Sequence, residues 1–470
     1  MRRILILTLA ASLGACAGGP APEIATPAPE LPQEFFYQPD QTTSEALDAL
    51  LPIDDAAFLE LSSLALDNAP SLAEALARVD AARAGAQRAG AERLPNIGVN
   101  ANATGNRTNP NQFGGNTPFS QFIDTEQVSY GANLTATWDA DVFGRLRAQE
   151  RAAIARVDVA TASAAAVRIA LLAEIAGAVV DWRTLDARIE AISNDVAAAS
   201  QLADLARTRE EAGIAPGFDR VRAQAAASAS RSRLAALESD RVRIVGRLVT
   251  LTGLTGSEVA AALAQGGPAF NPRRAPATLP SELLTNRPDV VAAAAELAAT
   301  DAELAATARA RFPRLTLSVV LGLLAFNPAD LLDEDSVVGS LAASVAAPLL
   351  DFGRLDAEID GAAAGKRIAF QAYRGAVFQA LGDTEAAYGL IETTDQTSAL
   401  AMQEQAELER AASLANDRYR AGLASFLEVL EARRAADASG ERAAAALGRA
   451  ERARIVLWQV LGGGSFGAAD

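Results

Sequence analysis

The chain is written twice, and that duplication restricts the available folds more than any other feature. Asn68-Ala69-Pro70 followed by Leu94-Pro95 recurs as Asn286-Arg287-Pro288 followed by Phe312-Pro313, 218 residues later in both cases. Phe143-Gly144-Arg145-Leu146 recurs as Phe352-Gly353-Arg354-Leu355, and Arg209 with Ala212-Gly213 recurs as Arg418 with Ala421-Gly422, both 209 residues later. The nine-residue drop places one gained or lost loop between the proline and Phe-Gly-Arg landmarks, while the rest of the scaffold keeps its length. Two long copies specify one pseudo-symmetric protomer, not a solenoid of many short repeats.

Within each copy the hydrophobic period changes in the same order. Helical patterns at about 54–68 and 71–93 stop at Leu94-Pro95, because the residue before a proline disfavours helix. Beyond Pro95 the period becomes two. Val128, Tyr130, Ala132, Leu134, Ala136 and Trp138 alternate with polar or small residues, and Ile97, Val99, Ala101 and Ala103 supply a partner strand across a polar segment at 106–124. Trp138 ends its strand where an interfacial aromatic would sit. In the second copy Leu315, Leu317, Val319, Leu321 and Leu323 alternate, broken by Val320, and Leu341, Ala343, Val345 and Ala347 form the return strand. This is the strand, long external loop, strand order of a membrane barrel; an amphipathic hairpin on a soluble core is the other reading.

Residues 143–213 and 352–422 contain no proline. A helix of about 65 residues at 1.5 Å per residue rises roughly 100 Å. In the first, Leu171, Ile175, Ala178, Trp182, Leu185, Ile189, Ile192, Val196, Ala199 and Ala203 give an unbroken apolar seam with a seven-residue period, which specifies a left-handed coiled coil. The same sites in the second copy include Thr384, Thr394, Ser398 and Gln405, so the second coil is expected to be looser and to be the one that moves. Both helices reverse at Gly213-Ile214-Ala215-Pro216 and Gly422-Leu423-Ala424-Ser425, with glycine for the left-handed position after a helix and Pro216 suited to the next helix start. Return helices follow at about 216–254 and 425–461.

The remaining composition narrows function and address. Arg2-Arg3, an apolar run over 4–11 and Leu13-Gly14-Ala15-Cys16 read as a signal peptide, similar to a bacterial lipoprotein signal cleaved and lipidated at Cys16. Ala17 after Cys16 favours outer-membrane delivery in such lipoproteins. Cys16 is the single cysteine and there is no histidine, so thiol nucleophiles, imidazole bases and zinc sites are excluded, and an enzyme is not expected. Losing Arg2 and Arg3 leaves 40 basic against 58 acidic residues, a charge of −18 that argues against nucleic acid. No uninterrupted apolar run reaches the roughly 18 residues of a membrane helix, so any crossing is expected to use strands. Four strands cannot close a barrel, and an open sheet edge is not tolerated in lipid. Two copies would give eight strands and a filled interior; three give twelve and an aqueous lumen, which suits a polar strand face better.

Arg287-Pro288-Asp289 with Arg311-Phe312-Pro313, Trp138 with Asp141 and Phe143-Gly144-Arg145, Pro348-Leu349 with Asp351-Phe352-Gly353-Arg354, and Arg418-Tyr419 with Gly422 occur in an order that resembles the outer-membrane efflux protein (TolC-like) family. The likeness spans about 43–462 and is greatest to the lipoprotein branch serving resistance-nodulation-division pumps. It implies a mainly α chain with membrane β structure, assembled as a homotrimer whose twelve-stranded barrel continues into a periplasmic α-helical barrel. The partners implied are outer-membrane lipid, a periplasmic adaptor and an inner-membrane pump, with no cofactor beyond a covalent lipid on Cys16. By the same likeness Glu428 and Glu431, with Tyr419 near the turn, would ring the periplasmic entrance, where three acids per ring favour cations. Gly213, Pro216, Gly422 and Ser425 would mark the turns gripped by the adaptor. A solvated acidic face accounts equally well for the two glutamates. The expected segments are a signal peptide (1–15), a lipid anchor with Pro-rich tether (16–42), a first repeat (43–254; hairpin about 96–139, coil about 144–254), an equatorial connection (255–280), a second repeat (281–462; hairpin about 314–347, coil about 353–461) and a tail (463–470). The implied function is a passive exit duct of a tripartite efflux system. A non-conducting coiled-coil adaptor or envelope scaffold is the alternative, and within ducts metal-ion efflux or type I protein or peptide export.

Overall fold

A computed structural model describes residues 22–39, 47–107, 109, 126–267, 272–464 and 466. The expected signal peptide, Cys16 and most of the external loop at 106–124 lie outside the described residues. The element order is α1 (Ala56–Asn68), α2 (Pro70–Ala91), β1 (Asn96–Arg107), β2 (Glu126–Asp139), α3 (Arg145–Glu211), α4 (Gly217–Thr252), α5 (Gly256–Leu263), the single turn α6 (Leu283–Asn286), α7 (Pro288–Arg309), β3 (Arg314–Ala325), β4 (Val337–Ala346), α8 (Arg354–Arg420) and α9 (Phe426–Val460). The two long helices have 67 residues each. Two compact units are drawn from both repeats: Asp80–Val159 with Ala294–Ala372 and the segment up to Pro27, and the remainder.

The first unit holds an antiparallel sheet in the order β1-β2-β3-β4. Its two hairpins share one register: carrying Asn96↔Thr137 forward by the repeat offsets, 218 for β1 and 209 for β2, yields Arg314↔Ala346, the pair observed. Val320 interrupts the apolar–polar alternation but not the strand. Val320 pairs with both Thr135 and Ser340 inside an unbroken β3, because the backbone ladder sets the register and one apolar side chain on the other face does not disturb it. Trp138 sits at the end of β2 and donates its indole N–H to the Arg93 carbonyl at 2.9 Å. Asp141 then caps α3, accepting from the Leu146 and Arg147 amides at 2.9 and 2.8 Å. Asp351 does the same for α8 through Gly353 and Leu355, but from one residue nearer the Phe-Gly-Arg landmark. There Phe352 takes φ 54°, alone among described non-glycine residues.

The second unit contains the larger core, where residues 171–180 of α3 pack with Phe58, Leu248, Val259, Leu263, Tyr388 and Trp458. By average composition α3 contains a window apolar enough to pass for a membrane span, which qualifies the expectation drawn from uninterrupted runs. Over half of that window is buried in protein, so it is a core segment. The coil seams hold: Leu171, Ala178, Leu185, Ile192 and Ala199 are buried, as are Ala380, Thr384, Ala387, Ile391, Ser398 and Ala412. The buried hydroxyls of Thr384 and Ser398 donate to carbonyls of their own helix, Ala380 at 2.9 Å and Asp395 at 2.9 Å, so neither leaves a polar group unpaired in the seam. The connection at 255–280 also contributes to the core through α5, which begins with a Thr255–Glu258 capping box.

The Pro-rich segment is not wholly a free tether. Phe35 is buried against Tyr388, with ring centroids 5.7 Å apart, and the Phe36 amide donates to Glu385 at 2.8 Å. Tyr37 lies against Gly389, where an added Cβ would meet its ring at 3.3 Å. Low local hydrophobicity hid this because, among the described residues of the segment, the apolar contacts come from scattered side chains that pack on distant residues: Leu31 and Phe35 on the larger core, Ile24 on a small cluster with Leu304 and Ile359.

Candidate functional site

The two helix reversals are built alike from the backbone outward. Gly213 (φ 72°) and Gly422 (φ 73°) adopt the left-handed conformation that a side chain resists. The amides of Gly213 and Ile214 donate to the carbonyls of Glu210 and Arg209 at 2.8 and 3.0 Å, and those of Gly422 and Leu423 to Tyr419 and Arg418 at 3.0 and 2.8 Å. Both are Schellman closures, which satisfy the last carbonyls of α3 and α8.

The next helix starts differ. Pro216 precedes α4 with no side-chain cap, whereas Ser425 and Glu428 form a reciprocal capping box at the start of α9. The Ser425 amide donates to the Glu428 carboxylate at 3.0 Å, and the Glu428 amide to the Ser425 hydroxyl at 3.3 Å. Glu428 therefore has a folding role that the sequence pattern Ser-x-x-Glu already carries. Glu431 is exposed one turn on, on the same face. The repeat offset places Asp219 opposite Glu428 and Arg222 opposite Glu431, so only the second copy presents two acids.

Tyr419 is buried and joins the tips. Its ring meets Phe426 edge-on at 6.1 Å, and the Arg209 guanidinium stacks over it at 4.8 Å. Leu202, Ala206, Ala223, Val429 and Leu430 complete this small core. The structure thus brings Tyr419 to Arg209 and Phe426 while leaving Glu428 and Glu431 on the surface. Arg220 pairs with Glu210 at 2.6 Å across the first turn.

An acidic pair deeper in the helices was missed. Asp195 on α3 is buried and the side chain of Asp437 on α9 is only 8% exposed, with Arg233 of α4 on Asp195 at 2.8 Å and Arg433 on Asp437 at 3.0 Å. One Asp437 oxygen, Oδ2, lacks a hydrogen-bond partner. Burial, together with the neighbouring Asp195 carboxyl, pushes Asp437 up to about 7, against the opposing pull of Arg433 and Arg233. The available signal was an acid three residues from Ile192 on the buried face of a seven-residue period; its partner could come only from three-dimensional packing.

Comparison with known proteins accords with this architecture. The sequence profile described as outer membrane efflux protein matches residues 61–254 and 279–463. The pyoverdine export outer membrane protein OpmQ of Pseudomonas aeruginosa is 31% identical, over 99% of this chain and 97% of its own length. Outer membrane protein OprJ of the same species is 29% identical, over 97% and 95%. The solved outer-membrane channel OprN superposes with a TM-score of 0.85 at 25% identity, covering 94% of this chain and 99% of that one. Duplicated sheet, paired 67-residue helices and glycine reversals occur here in a chain matched over both copies, and it belongs to the outer membrane efflux protein family, the passive outer-membrane channels of Gram-negative efflux systems, with its helical part in the periplasm.

Proposed function

We propose that three copies of this chain close one twelve-stranded barrel and act as the exit duct for small organic molecules delivered by a resistance-nodulation-division pump through a periplasmic adaptor. One observation carries the reading: among the described residues the four-stranded sheet leaves the outer edges of β1 and β4 unpaired, and lipid offers no water to satisfy them. Twelve strands leave room for an aqueous lumen, whereas eight would fill it with side chains. The names of relatives, pyoverdine export for OpmQ and toluene efflux for a Pseudomonas putida protein 27% identical, favour small organic cargo. In this reading the exposed Glu431, with Glu428, lines the entrance near Tyr419, and the turns at Gly213–Pro216 and Gly422–Ser425 receive the adaptor. Cys16 carries lipid.

The test is detergent-corrected light scattering of the mature protein, followed by conductance in planar bilayers. Three chains per particle and a cation preference that falls in Glu431→Gln are expected. A folded monomer, or a trimer that never conducts, would favour the scaffold reading instead.

A further inference from the structure

Beside its apolar seam, α3 carries a second one with the same seven-residue period, built of small and charged residues: Gly177, Asp181, Thr184, Arg188, Ala191 and Asp195. This seam faces α9, which runs antiparallel to it. A Cβ added to Gly177 would collide with Arg452, and one added to Gly448 with Thr184, so glycine is what lets the two helices approach here. Asp181 pairs with Arg452 at 3.6 Å and Arg188 with Glu441 at 2.5 Å. Farther along, a Cβ on Gly440 would lie 3.8 Å from that of Ala191. One more turn on each helix brings Asp195 opposite Asp437, where the two carboxyls are within hydrogen-bonding reach. Seven residues beyond them, Leu202 and Leu430 share the small core at the tips. The seam therefore has two rungs of opposite charge followed by one of like charge.

Two ionised carboxylates repel when shielded from water, and neither has a hydrogen to donate. Asp195 holds Arg233 on its Oδ2, and Asp437 holds Arg433 on its Oδ1, which leaves Asp437 Oδ2 buried and without a partner. We propose that Asp195 and Asp437 hold one proton between them, and that this O–H···O bond is a catch that fastens the first hairpin to the second until the proton is lost. A proton on Asp437 Oδ2 supplies the donor that the pair lacks and turns repulsion into a charge-assisted bond. Its loss returns two like charges to one buried rung. The surrounding charges do not replace it. Glu190 of α3 and Glu409 of α8 line the same crevice and add negative potential, Arg233 of α4 and Arg433 of α9 oppose it, and the Arg188–Glu441 pair is neutral as a unit. Their balance, with burial, leaves Asp437 titrating at about 7, so the catch responds near neutral pH. The repeat offset of 209 puts Ser228 at the place of Asp437 and Thr397 at the place of Arg188, so the second copy does not repeat these rungs. Both acids belong to one chain, and the catch requires neither the three-copy nor the duct reading.

Infrared difference spectra and thiol labelling of the mature protein in detergent test the proton and the catch separately. Wild type should lose a protonated-carboxyl C=O band as pH rises through about 7, and Asp437→Asn should lack that band. Asp195→Asn, whose amide donates to Asp437, should move the midpoint down by about one pH unit or more. An unmoved midpoint, or a band that survives Asp437→Asn, overturns the shared proton. For the catch, Gly440→Cys reports on the seam, and the exposed Arg434→Cys on the same helix corrects for thiol ionisation. Its relative alkylation rate, read by peptide mass spectrometry, should rise several-fold between about pH 6 and 8. With Asp437→Asn added it should stay low throughout, since the amide donates to Asp195 as the protonated acid does. A ratio indifferent to pH overturns the catch, and so does one that rises equally in the presence of Asp437→Asn. If Gly440→Cys does not fold, Ala191→Cys against the exposed Ser193→Cys reads the same seam from α3.

Discussion

The two coiled hairpins carry the same inter-helix tie in different surroundings. Asp195 of α3 pairs with Arg233 of α4, and 209 residues later Glu404 of α8 pairs with Arg442 of α9 at 2.6 Å. In the second hairpin the two side chains are 47% and 53% exposed, while in the first the Asp195 side chain is only 5% exposed because Asp437 packs beside it. Solvent screens the exposed tie, and exposed pairs of this kind contribute roughly 0–1 kcal/mol. The buried tie neutralises a carboxylate that would otherwise stand unpaired next to another. One duplicated contact has become decoration in one copy and a condition of packing in the other.

The sharpest way to break this comparison is to remove the arginine from each side. Arg233→Ala should cost about 2–3 kcal/mol, below the 3–5 of a fully buried pair since Arg233 is 42% exposed, whereas Arg442→Ala should cost at most about 1 kcal/mol; thermal melting followed by helical circular dichroism distinguishes them. Equal losses would mean that burial does not separate the hairpins.

The next effect depends on pH. Asp437 is raised in the folded state, so between about pH 4 and 7 the native chain holds the proton more tightly than the unfolded one. Its contribution therefore worsens as pH rises from about 4 to 7 and is constant above that, the reverse of an ion-paired acid. The groups around it are Asp195 on α3, Arg233 on α4 and Arg433 on its own helix, with Glu190 and Glu409 lining the same crevice from α3 and α8. Asp437→Asn should raise stability at pH 8 by on the order of 2 kcal/mol and flatten the pH profile of melting between 5 and 8. A profile unchanged by the substitution would place the titration elsewhere.

Smaller differences separate the turns. Ser425→Ala removes a capping box and should cost about 1 kcal/mol, while Pro216→Ala removes no side-chain cap and should cost less. At the same tip, Glu431→Gln should leave melting within about 0.5 kcal/mol of wild type and alter only ion preference, whereas Glu428→Gln can keep part of the cap through its amide oxygen. Bilayer reversal potentials measured beside melting curves separate the two roles.

Much of the fold was legible because its rules are local. A period of two, a seven-residue period, proline after a helix and glycine at a reversal each act within a few residues, and they located the strands, the long helices and both turns to within a few positions. Glu428 was singled out as an entrance acid by likeness, although Ser425-x-x-Glu428 also states a capping box in four letters. Phe35 was harder, since an aromatic in a proline-rich stretch has no local reason to be buried. Asp195 and Asp437 were hardest: nothing within one helix reveals which acid will face another across three packed elements.

The sequence by itself determined the two copies, the nine-residue offset, the strand and coil periods and the glycine reversals, because these follow from backbone sterics and from which side chains share a face. Only the tertiary structure decided that Phe35 enters the core, that Tyr419 links the tips through Arg209, and that one of two duplicated acid–arginine ties lies buried against Asp437. Burial and pairing depend on residues hundreds of positions apart. A carboxylate's cost or benefit is set by how much water that distant packing removes.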